Sequence, residues 1–180
     1  MRKEPTLLLV AALTLACRAP ESALTPTAGL HAHEGTPATI QVPRDLDEQI
    51  DELRAVTKPY RKFDGAVEAG WSTPVPGCFD NQPTGAMGYH YLNANRLDAT
   101  VDRLAPEILV YEPIGNGQMR LVAVEYAVPW TAWTSPTPPS LYGQPFHRNN
   151  QFQLWVLHVW HEKTNTAGLF ADWNPNVRCR

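Results

Sequence analysis

Apolar side chains return every three or four residues at Leu46, Ile50, Leu53, Val56, Tyr60, Phe63 and Val67. That spacing draws one stripe down one face of a helix. Asp45, with Glu48 three residues on, predicts its N-terminus, because the short carboxylate can accept an otherwise orphaned backbone N–H. Pro59 interrupts the stripe, having no donor and clashing with the preceding turn. The pattern therefore predicts a kinked helix or two helices meeting near Lys58, with Gly70 as the stop. A stripe of this kind reads as core packing rather than a ligand groove.

Beyond Trp71 the period falls to two. Candidate strands are 87–92 (MGYHYL), 107–112 (EILVYE), 118–128 (QMRLVAVEYAV) and 152–161 (FQLWVLHVWH). The second and third are joined by IGNGQ, and Asn116-Gly117 is a strong two-residue hairpin signal. One helical stripe followed by strands with no helices between them predicts an α+β fold. In it, the helix or helix pair packs on an antiparallel sheet of about four strands. A two-residue Asn-Gly turn pairs residues so that Ile108 faces Glu125 and Glu112 faces Leu121. Those two carboxylates then stand roughly 13 Å apart along the strand, too far to share one ion, so Glu112 is expected to cap its strand near the turn. Residues 129–150 are a long proline-rich connection carrying Trp130, Trp133, Tyr142 and Phe146. Long loops are commonly functional, and this one is aromatic enough to pack. It is expected either to form a lid presenting rings to a flat ligand or to cover the core.

The N-terminus carries an address. Arg2 and Lys3 precede an apolar run, 7–16 (LLLVAALTLA), too short to span a bilayer as a helix but suited to a secretory signal ending at Ala16. LTLAC, ending in Cys17, resembles a bacterial lipobox, in which the cysteine is lipidated and becomes the first mature residue. Thr14 stands where leucine is usual. Residues 17–43, rich in Pro, Ala, Thr and Gly, read as a flexible lipid-anchored tether, and 44–180 as a single domain. His31, His33 and Glu34 within the tether could hold a metal only if the ion ordered them. With Cys17 lipidated, Cys78 and Cys179 remain, an even pair in an oxidising compartment, which predicts a disulfide. The net charge of −3, without a basic stripe, points to no nucleic-acid partner.

Three ionisable residues stand where apolar ones are expected. Glu125 alternates in phase with Leu121, Ala123 and Ala127, and His158 with Leu154, Val156 and Trp160; His90 lies between Gly88 and Leu92. Buried alone, each would be expensive. Converging from three strands, two histidines and a carboxylate would suit zinc or iron with open positions, or a general base oriented by a carboxylate. They would equally serve as a buried hydrogen-bonded pair that only holds the sheet together. No G-x-G-x-x-G, P-loop, G-x-S-x-G or internal repeat is present.

Taken in order, GAMGYHY, PEILVYEP, LVAVEY, LYGQPF, LHVW and FADWNPNVRC resemble a group of uncharacterised bacterial secreted or lipid-anchored proteins, over roughly 53–179. The resemblance implies a shared fold and an envelope location, and no activity. The chain departs from the group after LHVW, where Glu162 and Asn165-Thr166 replace a second tryptophan and Asn-Pro. The expectation is an envelope lipoprotein whose α+β domain binds a small ligand. It would reach the membrane through its lipid anchor, at the outer membrane or periplasmic face, or be secreted. A metal-dependent enzyme using His90, Glu125 and His158, or a purely structural envelope component, are the alternatives.

Overall fold

Asp45 opens the described part of the chain, its carboxylate accepting the Glu48 backbone N–H at 2.8 Å. The structure is a computed structural model that describes residues 45–180. The expected signal segment, Cys17 with its expected lipidation, and the expected tether with His31 and His33 lie outside the described residues. α1 (Leu46–Thr57) buries Ile50, Leu53 and Thr57. A 3-10 turn (Lys58–Arg61) with Pro59 near its start follows, then α2 (Phe63–Glu68). α2 ends as helices do when a glycine takes positive φ: Gly70 sits at φ 104°, its N–H donates to the Val67 carbonyl, and the Trp71 N–H donates to that of Ala66.

Eight strands follow: β1 (Thr73–Asn81), β2 (Gly85–Leu92), β3 (Ile108–Gly115), β4 (Gln118–Pro129), β5 (Ser140–Leu141), β6 (Gln144–Pro145), β7 (His147–Asn149) and β8 (Leu154–Val159). Six of them form one antiparallel sheet in the order β1-β2-β3-β4-β8-β7, while β5 and β6 pair by themselves. The fold is α+β, with two more strands in the sheet than the alternation predicts. Both additions are edge strands. β1 holds two prolines and a glycine, which remove ladder donors and alternation but are tolerated at an edge. β7 is three polar residues inside the segment expected to lack regular structure. Phe79 of β1 and Phe152 of the β7–β8 loop stand with ring centroids 6.4 Å apart, so the sheet curls until its two ends meet.

The two faces differ. One packs Leu109, Tyr111, Val124, Tyr126, Leu157 and Val159 against Ile50, Leu53 and Ala66 of the helices. The Tyr111 hydroxyl donates to the Tyr60 carbonyl at 2.7 Å, which satisfies a buried polar tip. The other face carries Ile108, Val110, Ala127, Val156 and Trp160, and the chain's C-terminal segment covers part of it through Val177. That segment is tied down by the Cys78–Cys179 disulfide, closing a separation of 101 residues, and by mutual backbone hydrogen bonds between Ala86 and Asn174. In the chain-entropy account, such a closure contributes about 4–5 kcal/mol. Gly85 is required at this crossing, since a Cβ there would meet the Asn174 carbonyl oxygen at 2.3 Å.

Register corrects two expectations. Ile108 does face Glu125, but between Val110 and Tyr111 the ladder slips by one, so Tyr111 faces Leu121 and Glu112 faces Arg120. The extra residue, Val122, bulges and offers its carbonyl to the Glu162 and Lys163 N–H groups. Leu121 is thereby turned to the helix side, out of phase with Glu125. Glu112, expected to cap its strand, instead sits buried between the Arg120 guanidinium and Lys163, whose Nζ is 2.6 Å away.

His161 locks the helices to the sheet. Its Nε2 lies 2.9 Å from the Thr57 hydroxyl, which donates to the Leu53 carbonyl, and its own carbonyl accepts from Arg54 Nε at 2.7 Å. Burial, aided by the nearby Arg54 and Arg61 charges, lowers its pKa from 6.5 to about 4. As pH falls, the unfolded chain takes this proton first, so stability is present above 6.5 and is lost between 6.5 and about 4. The loss approaches roughly 3 kcal/mol. Urea denaturation of wild type and His161→Gln should therefore show a stability gap at neutral pH that shrinks as pH falls through this window. A gap that stays constant would show that His161 does not carry this dependence.

Candidate functional site

The three residues singled out by their apolar positions come together on the face away from the helices. His90 rises from β2, Glu125 from β4 and His158 from β8. Glu125 and His158 are direct cross-strand partners, while His90 faces Val110 on the intervening β3. In a flat sheet, β2 and β4 would stand two strand spacings apart, about 9–10 Å. The curl and the reach of the side chains close that gap. His90 Nε2 lies 3.2 Å from His158 Nε2 and 3.6 Å from Glu125 Oε2, and Glu125 Oε1 lies 3.7 Å from His158 Nδ1. All three side chains are buried.

Each imidazole is held by its second nitrogen. His90 Nδ1 is 3.2 Å from the Gly88 carbonyl. Gly88 has φ 105°, a conformation that costs an L side chain, and a Cβ there would meet the Tyr111 carbonyl oxygen at 2.6 Å. His158 Nδ1 faces Asp172 Oδ1 at 3.4 Å, although neither atom makes a hydrogen bond of good geometry. The other Asp172 oxygen stands 3.3 Å from His147 Nε2, and the His158 ring stacks on Trp160.

The electrostatics separate the two histidines. Burial, reinforced by the charge of His158, lowers the His90 pKa to about 3, so it stays neutral at any ordinary pH. Burial works against the charge of His158 as well, but Glu125 and then Asp172 reverse this and raise its pKa. Burial pushes the Glu125 carboxyl up, opposed by His158. For Asp172, burial is outweighed by the closeness of His147 and His158, which holds its carboxyl well below the usual range.

These groups form the polar pole of a cavity of about 730 Å³. Its walls are Ile108, Leu154 and Val156 from the sheet, Leu92 and Leu97, and the Phe79 and Phe152 pair where the sheet ends meet. This is the size and character of a small-molecule site, apolar with a few convergent polar groups.

The aromatic residues expected as a lid are elsewhere. Trp133, Tyr142 and Phe146 pack against the helix-side core, and Trp130 stacks under Arg148, 4.9 Å from its guanidinium. None of the four lines the cavity. Rings of this size bury most of their surface in a core before any remains for a ligand. Asp172 and His147 are the functional candidates that sequence pattern misses, since one lies in irregular chain and the other on a three-residue edge strand. Asp172 sits in FADWNPNVRC, one of the motifs that carry the resemblance, which was the only available signal.

Fold and site together define a class: an α+β domain whose helices cover one face of a curled antiparallel sheet, while the other face cups a cavity floored by His90, Glu125 and His158. Comparison with protein-family models, curated proteins and solved structures finds no match for this chain.

The contact between Glu125 and His158 has a measurable consequence. Glu125→Leu and His158→Leu each leave the other group buried without its main partner. The double variant should cost less stability than the two singles summed, by about 1–3 kcal/mol in urea denaturation. Additivity within about 0.3 kcal/mol would show that the pair is not coupled.

Proposed function

We propose that this domain holds a small molecule with an apolar body and a polar head, and that it does so in the bacterial cell envelope on a lipid anchor. The observation carrying the binding reading is the cavity of about 730 Å³, apolar along the sheet, with the His90–Glu125–His158 cluster and Asp172 at one pole and the polar segment 147–151 along one wall. A protein with no ligand to hold gains by filling such a space with side chains, because each unfilled void forfeits packing. Polar groups at one end fix a ligand's orientation while the apolar walls supply the burial. The envelope reading rests on the apolar run ending at Ala16-Cys17, on the likeness to secreted and lipid-anchored bacterial proteins, and on a disulfide suited to an oxidising compartment.

Anilinonaphthalene sulfonate, an apolar dye with a charged head, should bind one per chain with enhanced fluorescence. Leu154→Trp, which places a bulky indole in the cavity, should weaken that binding about tenfold or more, a loss of about 1.4 kcal/mol. Equal binding by the variant would overturn the site. The anchor is checked separately: labelled palmitate should enter the wild type and vanish from Cys17→Ser. Label retained by Cys17→Ser would defeat the lipidation reading.

A further inference from the structure

We propose that His90, Glu125 and His158 form a binding site for one divalent transition-metal ion of the zinc or ferrous class, with Asp172 as the carboxylate that orients His158. This goes beyond the ligand-binding reading and does not depend on it.

Three observations carry it. The first is the donor set. Two imidazoles and a carboxylate, each from a different strand of a rigid sheet, bring one ligand atom apiece to within 4.8 Å of one another. Imidazole and carboxylate are the donors that zinc and ferrous iron take, and three protein ligands leave a position open.

The second is distance. A tetrahedral ion with bonds of about 2.0–2.1 Å separates its ligand atoms by about 3.4 Å. Two of the three edges, His90 Nε2 to His158 Nε2 at 3.2 Å and His90 Nε2 to Glu125 Oε2 at 3.6 Å, bracket that value, while Glu125 comes nearest His158 at Nδ1, 3.7 Å from Oε1.

The third is orientation. The Nδ1 atom of each ring stands near an acceptor: the Gly88 carbonyl for His90, and for His158 the Asp172 carboxylate at 3.4 Å, with Glu125 Oε1 at 3.7 Å. Those acceptors favour the proton on Nδ1 of both rings, which leaves two Nε2 lone pairs facing each other. Such lone pairs repel unless a proton or a cation sits between them. A carbonyl or carboxylate behind each metal-bound histidine is the usual outer arrangement, which fixes the tautomer and strengthens the donor. His147 completes it by holding the second oxygen of Asp172 at 3.3 Å. All three proposed ligands line the cavity, so an ion has an entry path and its open position would meet whatever occupies the apolar space.

The rival is a proton shared between the two histidines with no metal. Cobalt separates them, because it reports its own coordination in the visible spectrum. The test uses the full chain without a histidine tag, in a His31→Ala/His33→Ala background that removes the other histidine pair, stripped with chelator and titrated with Co²⁺. The expected result is a single-equivalent endpoint with ligand-field absorption that Zn²⁺ abolishes. His90→Ala and His158→Ala should each weaken binding about 100-fold or more. Asp172→Asn keeps the shape of the side chain and should weaken binding about 10–100-fold, so it serves if an alanine variant does not fold. Absence of an equimolar endpoint, or affinity unchanged in folded Asp172→Asn, would overturn the site in favour of the shared proton. Dye binding by the stripped protein would stand in either case, so failure here leaves the cavity proposal separately testable.

Discussion

An ionisable side chain placed on the apolar face of a sheet must find a partner, since a buried charge without one costs several kcal/mol. This chain places three on the same face, and the architecture follows from having to bring them together. His90 and Glu125 lie on strands separated by β3 and could not touch across a flat sheet. The curl that joins them also brings Phe79 to Phe152 and leaves a hollow between the sheet and its own ends. Site and cavity are one consequence of that curvature.

The rest of the molecule holds the curvature in place. On the convex side, the two helices and the 3-10 turn fill the face with Ile50, Leu53, Ala66 and Phe63, and Thr57 and Arg54 pin them to His161 at the end of β8. On the concave side the C-terminal segment covers only part of the sheet, fastened at Cys179 and at Asn174. Asp172 lies just before that fastening, so the same segment that limits the cavity also delivers the carboxylate behind His158. Two glycines make the close approaches possible: Gly85 under Asn174, and Gly88 beside Tyr111 with its carbonyl turned to His90.

Regular alternation was readable wherever the strands were regular. The β8 pattern correctly separates Leu154, Val156, His158 and Trp160 from Leu157, Val159 and His161, and Ile108 does stand opposite Glu125, because two register shifts between the Asn116-Gly117 turn and that pair cancel. Reading failed where one residue broke the period. An irregularity between Pro113 and Gly115 re-pairs Glu112 with Arg120, the bulge at Val122 sends Leu121 to the other face, and nothing in LVAVEY marks which residue is extra. β1 was hidden by its prolines, which forbid a central strand but not an edge. Asp172 and His147 were illegible because their roles come from long-range closure, not from any local pattern. The aromatic segment left two readings open for a simpler reason: the same rings that could stack on a ligand serve equally well as cover for a core.

The central claim is that the two faces of this sheet differ in kind, one a filled core and the other a ligand cavity. Methyl-resolved NMR during a titration with anilinonaphthalene sulfonate tests it directly. The account predicts shifts at Ile108, Leu154 and Val156, with Leu53, Val124 and Val128 on the helix side unmoved. Shifts confined to the helix-side methyls, with the concave face silent, would contradict it.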